Sequence, residues 1–151
     1  DSLLVVAEDA RLHASGVIVD GARVAAAMDA RMGEIYTATY RRDGDAWVTE
    51  QPPQLATPQA LADMWRASPP TVAAGNALNV YADALALPAN TPGISAMHDP
   101  AQALANLARQ AWHAGQGVRA QDAQPVYVRD KVAFTAQEVR ARRAAANEAQ
   151  R

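Results

Sequence analysis

The sequence predicts an α/β fold in which a mixed β-sheet is flanked by helices. Three strand-like segments follow one another at residues 24–28, 35–42 and 47–50, and the polar turns between them favour antiparallel pairing. After them, short buried strands alternate with helical segments, which is the pattern of strands joined by crossover helices. An antiparallel start followed by this alternation predicts one sheet with both kinds of pairing.

The first two strands differ in pattern. Residues 24–28 are apolar throughout, as in a strand that is buried on both faces. Residues 35–42 alternate, with β-branched side chains on one face and Tyr36 and Tyr40 on the other. Because aromatic side chains on a strand belong to a core more often than to an interface, we expect the tyrosine face to be buried.

Prolines bound the third strand and begin the next helix. Residues 47–50 should pair back on the second strand, and Pro52 and Pro53 should end this pairing because proline lacks an amide donor. Thr57 is a good N-cap for a helix over residues 58–67, whose first residue is a proline.

Short elements fill the middle of the chain. Residues 71–74 predict a buried strand that leads into Gly75, and residues 77–84 predict a helix. A loop that contains two prolines then reaches a last short strand near Ile94.

Two longer helices are expected at residues 3–13 and 101–113. Asp1 or Ser2 can cap the first, and Asp99, which precedes a proline, can cap the second. The second helix carries an apolar stripe that should face the core, formed by Leu104, Leu107, Ala108, Ala111 and Trp112.

The C-terminal part is less regular. Residues 126–129 predict a strand, and Phe134 should anchor the segment after it. Residues 135–151 have helix-forming composition but no apolar stripe, so a loose helix and disorder both remain open.

Composition and charge argue against several classes of protein. The formal net charge is −2, and the densest basic cluster (Arg140, Arg142 and Arg143) has acidic residues around it. We therefore do not expect this chain to bind nucleic acid by itself. The absence of cysteine excludes disulfides and thiolate metal sites. No apolar run is long enough to span a membrane and no secretion signal is visible, so we expect a cytoplasmic protein.

Familiar catalytic patterns are absent from the sequence. His13, His98 and His113 lie on three separate segments, and no His-x-x-x-His pair is present to hold zinc. There is also no Gly-x-Ser-x-Gly elbow and no glycine loop placed to bind phosphate. We therefore expect no catalytic residue, no metal and no cofactor.

The most distinctive stretch is Asp-Ala-Arg-Met-Gly-Glu-Ile-Tyr, from Asp29 to Tyr36. A buried strand leads into a polar tip, where Gly33 permits the positive φ of a four- or five-residue hairpin. The tip holds Asp29, Arg31 and Glu34 together, and such a loop at a sheet edge can face a cleft. A turn with solvated charges is the simpler interpretation of the same pattern.

This motif resembles one in the bacterial TsaB (YeaZ) family, the non-catalytic partner in making threonylcarbamoyl-adenosine at position 37 of tRNA. A second segment, Gln-Pro-Val-Tyr-Val-Arg at residues 124–129, is similar to the Pro-Val-Tyr-Leu/Val-Arg strand near that family's C-terminus. The resemblance leaves the roles of the matching residues unassigned: Asp29, Arg31, Gly33, Glu34, Tyr36, Pro125, Tyr127 and Arg129.

The resemblance implies a lobe of the actin-like, sugar-kinase and Hsp70 superfamily, with a ribonuclease H-like fold. Residues 1–16 would remain from an N-terminal lobe that is largely missing, residues 17–134 would form the C-terminal lobe, and residues 135–151 a tail. The implied function is a scaffold for a TsaD-type transferase and a TsaE-type ATPase, with tRNA contacted only through the complex. An apolar surface exposed by the loss of a lobe could allow a homodimer to form when the partner is absent. No membrane role is expected, because no apolar run is long enough to span one.

The same resemblance gives three weak cleft candidates. In actin-like ATPases the corresponding turn presents Asp and Gly to the nucleotide phosphates, as Asp29 and Gly33 would here, and Gly75 resembles the base-binding motif. The two residues before Gly33 are bulky, which disfavours a retained ATPase. We expect instead that Asp29, Arg31 and Glu34 form an inert, self-paired edge of the cleft.

Two other classes of function remain open at this stage. One is an enzyme, either an M22-like peptidase or a nucleotide hydrolase. The other is a generic protein-interaction module without a connection to tRNA.

Overall fold

The computed structural model describes residues 1–14 and 16–129, so Phe134 and the predicted tail at 135–151 lie outside the described residues. The strands are β1 (Arg23–Arg31), β2 (Glu34–Asp43), β3 (Ala46–Ala56), β4 (Val72–Ala74) and β5 (Gly93–Ile94). The helices are α1 (Ser2–His13), α2 (Pro58–Ala67), α3 (Ala77–Val80), α4 (Ala82–Leu85) and α5 (Pro100–His113), followed by a short 3-10 turn at Ala120–Asp122. Within the described ranges, no helix is long and apolar enough to cross a membrane.

The five strands form one sheet in the order β3-β2-β1-β4-β5. Strands β1, β2 and β3 pair antiparallel, whereas β4 and β5 add to β1 in parallel. Val24 of β1 shows the mixture, because it lies opposite Tyr40 on one side and Val72 on the other. The prediction of a mixed sheet flanked by helices is confirmed.

Alternate residues of β1 contribute to two cores on opposite faces of the sheet. Val24 and Ala26 pack with α1, and Ala25 and Ala27 pack with α2, α3 and α4. The small side chains of this central strand let helices approach it from both sides. The assignment of residues 1–16 to a preceding lobe stays a prediction, although α1 shares its core with this sheet.

Both faces of β2 are covered as well. Tyr40 is fully buried and Tyr36 half-buried on the α1 side, in agreement with the predicted tyrosine face. Ile35 is fully buried on the opposite face, so the alternation in this strand does not separate core from solvent.

The helix caps are confirmed. Asp1, Thr57 and Asp99 each accept a hydrogen bond from a backbone N–H in the first turn of its helix, at 3.0, 3.2 and 2.9 Å. The single helix predicted at 77–84 is instead two short helices, α3 and α4, which meet at Tyr81 with a non-helical φ of −123°.

The prediction that Pro52 and Pro53 end the third strand is wrong, since β3 continues to Ala56. The partner of Thr37 is Gln54 and the partner of Thr39 is Gln51, so both prolines fall within a shift of the register. Strand β3 lies at the sheet edge, where a missing amide donor costs little.

The strand predicted at 126–129 is also wrong, because this segment has no regular secondary structure. Its Arg129 side chain contacts the β1–β2 turn, and the segment does not add to a sheet edge. The apolar stripe of α5 likewise does not enter the core. Of the residues of α5 only Ala103 is buried, whereas Leu104 is 57% and Trp112 78% exposed.

Candidate functional site

The tip of the β1–β2 hairpin has an unusual backbone. Arg31 and Glu34 pair across it, which leaves Met32 and Gly33 as a two-residue turn instead of the predicted four or five residues. Arg31, Met32 and Gly33 have φ values of 62°, 57° and 75°. Positive φ at both central residues is the requirement of a type I′ turn, and the register shift before Arg31 adds a bulge.

Asp29 is held by hydrogen bonds within its own turn and with residues at the ends of α3 and α4. Its backbone N–H donates to Asn76 Oδ1 at 2.9 Å, and its Oδ1 accepts from the Arg31 N–H at 2.9 Å and from the Tyr81 hydroxyl at 2.8 Å. The Arg31 N–H first, and then the Tyr81 hydroxyl, hold the pKa of Asp29 below its ordinary value. The same hydrogen bond to Asp29 raises the pKa of Tyr81. Asp29 is therefore a carboxylate that ties β1 to the α3–α4 region.

Gly75 follows the end of β4, which runs parallel to β1, and lies beside Ala27. Its φ is 115°, and a Cβ atom added there would lie 2.2 Å from the carbonyl oxygen of Ala27. The glycine is thus required by the close approach of two backbones. This packing accounts for Gly75 whether or not a nucleotide binds near it.

Arg129 brings the two distinctive sequence segments together. Its guanidinium donates to Glu34 Oε2 at 2.7 Å and to the carbonyl oxygen of Ala30 at 3.1 Å, and it lies over the ring of Tyr36 at 5.8 Å. The hypothesis of a self-paired edge is therefore wrong. Glu34 pairs with Arg129, and among the described residues the hydrogen bond from Arg31 to Asp29 comes from the backbone N–H rather than from the guanidinium.

A groove of about 890 Å³ runs beside this contact. Its apolar lining includes Leu3, Val6, Met28 and Tyr36, and the segment around Pro125 forms one wall. The motif residue Tyr127 also lines the groove, with 83% of its surface exposed. A volume of this size is within the range of ligand pockets.

Two buried acidic residues of α1 were missed by the sequence analysis. Glu8 and Asp9 have no exposed surface. Asp9 Oδ2 accepts from the His98 N–H at 2.9 Å, and its Oδ1 accepts from the Asp99 N–H at 2.7 Å. Two adjacent acids directly after the apolar run at residues 3–7 were the available signal, since buried carboxylates require partners.

Glu8 forms the second of these buried sites. It accepts two hydrogen bonds from Arg11, at 2.7 and 2.8 Å, and one from Trp47 Nε1 at 3.0 Å. Burial by itself raises the pKa of Glu8. The hydrogen bonds from Arg11 and Trp47, together with the charges of Arg11 and Arg42, outweigh burial and leave the pKa below its ordinary value.

The lowered pKa of Glu8 predicts an acid-sensitive contribution to stability. A carboxylate whose pKa is depressed in the folded state stabilises it above the unfolded-state pKa and loses this effect as the pH falls through the folded-state pKa. We expect Glu8→Gln to lower the free energy of unfolding by about 1–2 kcal/mol near neutral pH and by less near pH ~3. Urea unfolding at both pH values measures the difference. An equal loss at both would contradict the assignment.

The histidines do not form a metal site in the part of the chain that the structure describes. His13 and His98 lie closer together than the sequence analysis expected, with stacked rings whose centroids are 4.9 Å apart. In residues 1–14 and 16–129, no group of three or more His, Cys, Asp or Glu side chains is arranged to hold a metal ion.

The fold is that of an actin-like, ribonuclease H-like α/β lobe, and YeaZ structures share it. One is described as an uncharacterized Pseudomonas aeruginosa protein with similarity to peptidase YEAZ. It is 32% identical, with a TM-score of 0.67 over 84% of this chain and 56% of that one. YeaZ from Pseudomonas aeruginosa is 31% identical, with a TM-score of 0.64 over 83% of this chain and 55% of the other.

This chain is therefore YeaZ-like in structure, and it spans a little over half the length of these two proteins. No protein-family model matches the chain. A search of curated proteins finds no match either.

Proposed function

We propose that this chain is the C-terminal lobe of a TsaB (YeaZ) family protein, which acts as a non-catalytic scaffold in the synthesis of threonylcarbamoyl-adenosine at position 37 of tRNA. The observation that carries the proposal is the contact between the two family-like segments, in which Arg129 donates to Glu34 and to the carbonyl of Ala30. The likeness to YeaZ structures at 31–32% identity supports it independently.

The proposed partners are a TsaD-type transferase, which carries out the chemistry, and a TsaE-type ATPase. The net charge of −2 supports a role in which tRNA is held by the complex rather than by this chain. The complex would work in the cytoplasm.

The hairpin geometry supports a structural role rather than nucleotide hydrolysis. One oxygen of Asp29 accepts two hydrogen bonds from this chain's own groups, and Gly75 packs directly on the backbone of Ala27. Arg31 and Met32 directly precede Gly33 in the turn. Their bulky side chains are at the place where a phosphate would need close access to the backbone.

A peptidase is the second candidate, because one of the similar structures is described by its similarity to peptidase YEAZ. A peptide-cleavage assay with the complete protein, with and without added zinc, separates this candidate from the scaffold. Metal-dependent cleavage would favour the enzyme.

The experiment that tests the scaffold is nucleoside mass spectrometry on tRNA from a reconstituted modification reaction. Reactions with and without the complete version of this chain are compared, with the transferase and ATPase subunits present in both. We expect threonylcarbamoyl-adenosine only when the chain is present. Equal product in its absence would refute the scaffold function.

Binding to the transferase subunit gives a further prediction. In the TsaB family the pairing surface is built mainly by helices of the N-terminal lobe, so residues 1–151 alone should bind a TsaD-type subunit at least about tenfold more weakly than the complete protein. Surface plasmon resonance with both forms measures the difference. Equal affinities would contradict this placement of the pairing surface.

A further inference from the structure

The segment 124–129, here called the strap, forms a wall of the apolar groove without belonging to the sheet or to any helix. On its other sides the groove is lined by α1, the hairpin strands and α5, including Leu3, Met28 and Leu104. The position of this wall therefore depends on the contacts that the strap makes with the rest of the protein.

Most strap side chains do not anchor it. Val126 is 65% exposed and Tyr127 83% exposed. Among the described residues, Gln124 donates only to the nearby carbonyl of Gln121, at 3.4 Å. Val126 and Tyr127 can contribute apolar contact to the groove, but neither side chain makes a hydrogen bond to the sheet within the described part of the chain.

Arg129 is the anchor. Its side chain is only 13% exposed and makes a charge-assisted hydrogen bond to Glu34 and another to the carbonyl of Ala30. The pair is partly buried, since the Glu34 side chain is 35% exposed, and charge-assisted hydrogen bonds are stronger than neutral ones. The Arg129 Nε atom is buried without a hydrogen-bond partner among the described residues. The contacts that hold the side chain are therefore those of its Nη1 and Nη2 atoms.

The anchor point is itself a constrained piece of backbone. Ala30 precedes three consecutive residues with positive φ, and Met32 Sδ lies 3.5 Å from the Arg129 guanidinium. Arg129 thus bridges the strap and both sides of the turn. Strap position and turn geometry are coupled through this one side chain.

We infer that the strap is a movable wall of the groove, which the Arg129 contact with the hairpin holds in place. Loss of this contact frees the strap and opens the apolar floor around Met28 and Tyr36. The inference concerns the chain by itself and does not depend on the tRNA-modification function.

The test uses two introduced cysteines, since the chain has none of its own. Val80→Cys on α3 and Val126→Cys on the strap are both at exposed positions and accept spin labels. Double electron–electron resonance measures the distance between the two labels in the otherwise unchanged chain and in chains that also carry Arg129→Ala, Arg129→Lys or Glu34→Ala.

Arg119→Ala is the matched control, because Arg119 forms an exposed ion pair with Asp122 close to the strap. We expect a single narrow distribution of label-to-label distances in the parent and in the control. In Arg129→Ala we expect this distribution to become broad. Arg129→Lys keeps the charge but not the forked geometry and should also broaden the distribution. Binding of a hydrophobic dye should rise in the variants that broaden.

A narrow, unchanged distance in Arg129→Ala would overturn the inference. Circular dichroism shows whether that variant keeps its fold. If it does not, Glu34→Ala decides, since it changes no strap residue beyond the label site and removes the carboxylate that Arg129 contacts. An unchanged distance there, in a folded protein, would equally overturn it.

Discussion

Gly75→Ala is expected to lower the free energy of unfolding by about 3 kcal/mol or more, or to prevent folding. A new Cβ would lie 2.2 Å from the carbonyl oxygen of Ala27, and a backbone φ of 115° is unfavourable for any side chain. The Gly75 N–H also donates to the carbonyl of Ile94 at 2.9 Å, so a shift that relieves the clash would break the pairing of β4 with β5. Urea unfolding followed by circular dichroism measures the loss.

Gly21→Ala is the control for this experiment. Gly21 has a φ of 79°, but no atom lies within 4 Å of the position that a Cβ would take. Its substitution therefore costs only the backbone term, about 1–2 kcal/mol. If both variants lose the same stability, the close approach to Ala27 is not what requires glycine at position 75.

Features with local causes were predictable from the sequence. The caps at Asp1, Thr57 and Asp99 depend on one side chain and the next turn of backbone, and all three are confirmed. The mixed sheet was predictable for a similar reason, because apolar runs and turn residues specify strands without knowledge of distant contacts.

The errors arose where a neighbour distant in sequence decides the outcome. Pro52 and Pro53 look like strand ends, but at the sheet edge the missing N–H groups are harmless. Residues 126–129 have strand composition, yet Arg129 contacts Glu34, 95 residues earlier, by its side chain. The hydrophobic periodicity of residues 126–129 does not reveal a contact with a residue so far away in the sequence.

The candidate site was predicted only in part. Asp29, Gly33 and Glu34 do lie together at the tip of the β1–β2 hairpin, but β1 and β2 are interior strands, so this tip is at the end of the sheet and not at its edge. The partners of Asp29 and Glu34 were not foreseen. Gly75 was chosen for a faint resemblance to a base-binding motif, while the structure shows a packing requirement that depends on the separation of β1 and β4. Nucleotide binding near Gly75 stays an untested prediction.

Asp9→Asn is expected to cost about 2–3 kcal/mol in the free energy of unfolding. Asp9 is fully buried, and its two oxygens accept the backbone N–H groups of His98 and Asp99 at 2.9 and 2.7 Å. Asparagine keeps the shape but replaces one acceptor by an NH₂ donor, which would face another donor. One buried N–H then loses its partner, and the start of α5 loses part of its attachment to α1.

Asp63→Asn on α2 controls for the loss of a carboxylate in general. Asp63 is 55% exposed and pairs with Arg66 on the surface, so its substitution should change stability by no more than about 0.5 kcal/mol. Hydrogen exchange then locates the effect: amides at the start of α5 should exchange faster in Asp9→Asn and at the parent rate in Asp63→Asn. Unchanged protection there in Asp9→Asn would mean that α5 is held to α1 by other contacts, because the substitution removes one of the two Asp9 hydrogen bonds that link α1 to the start of α5.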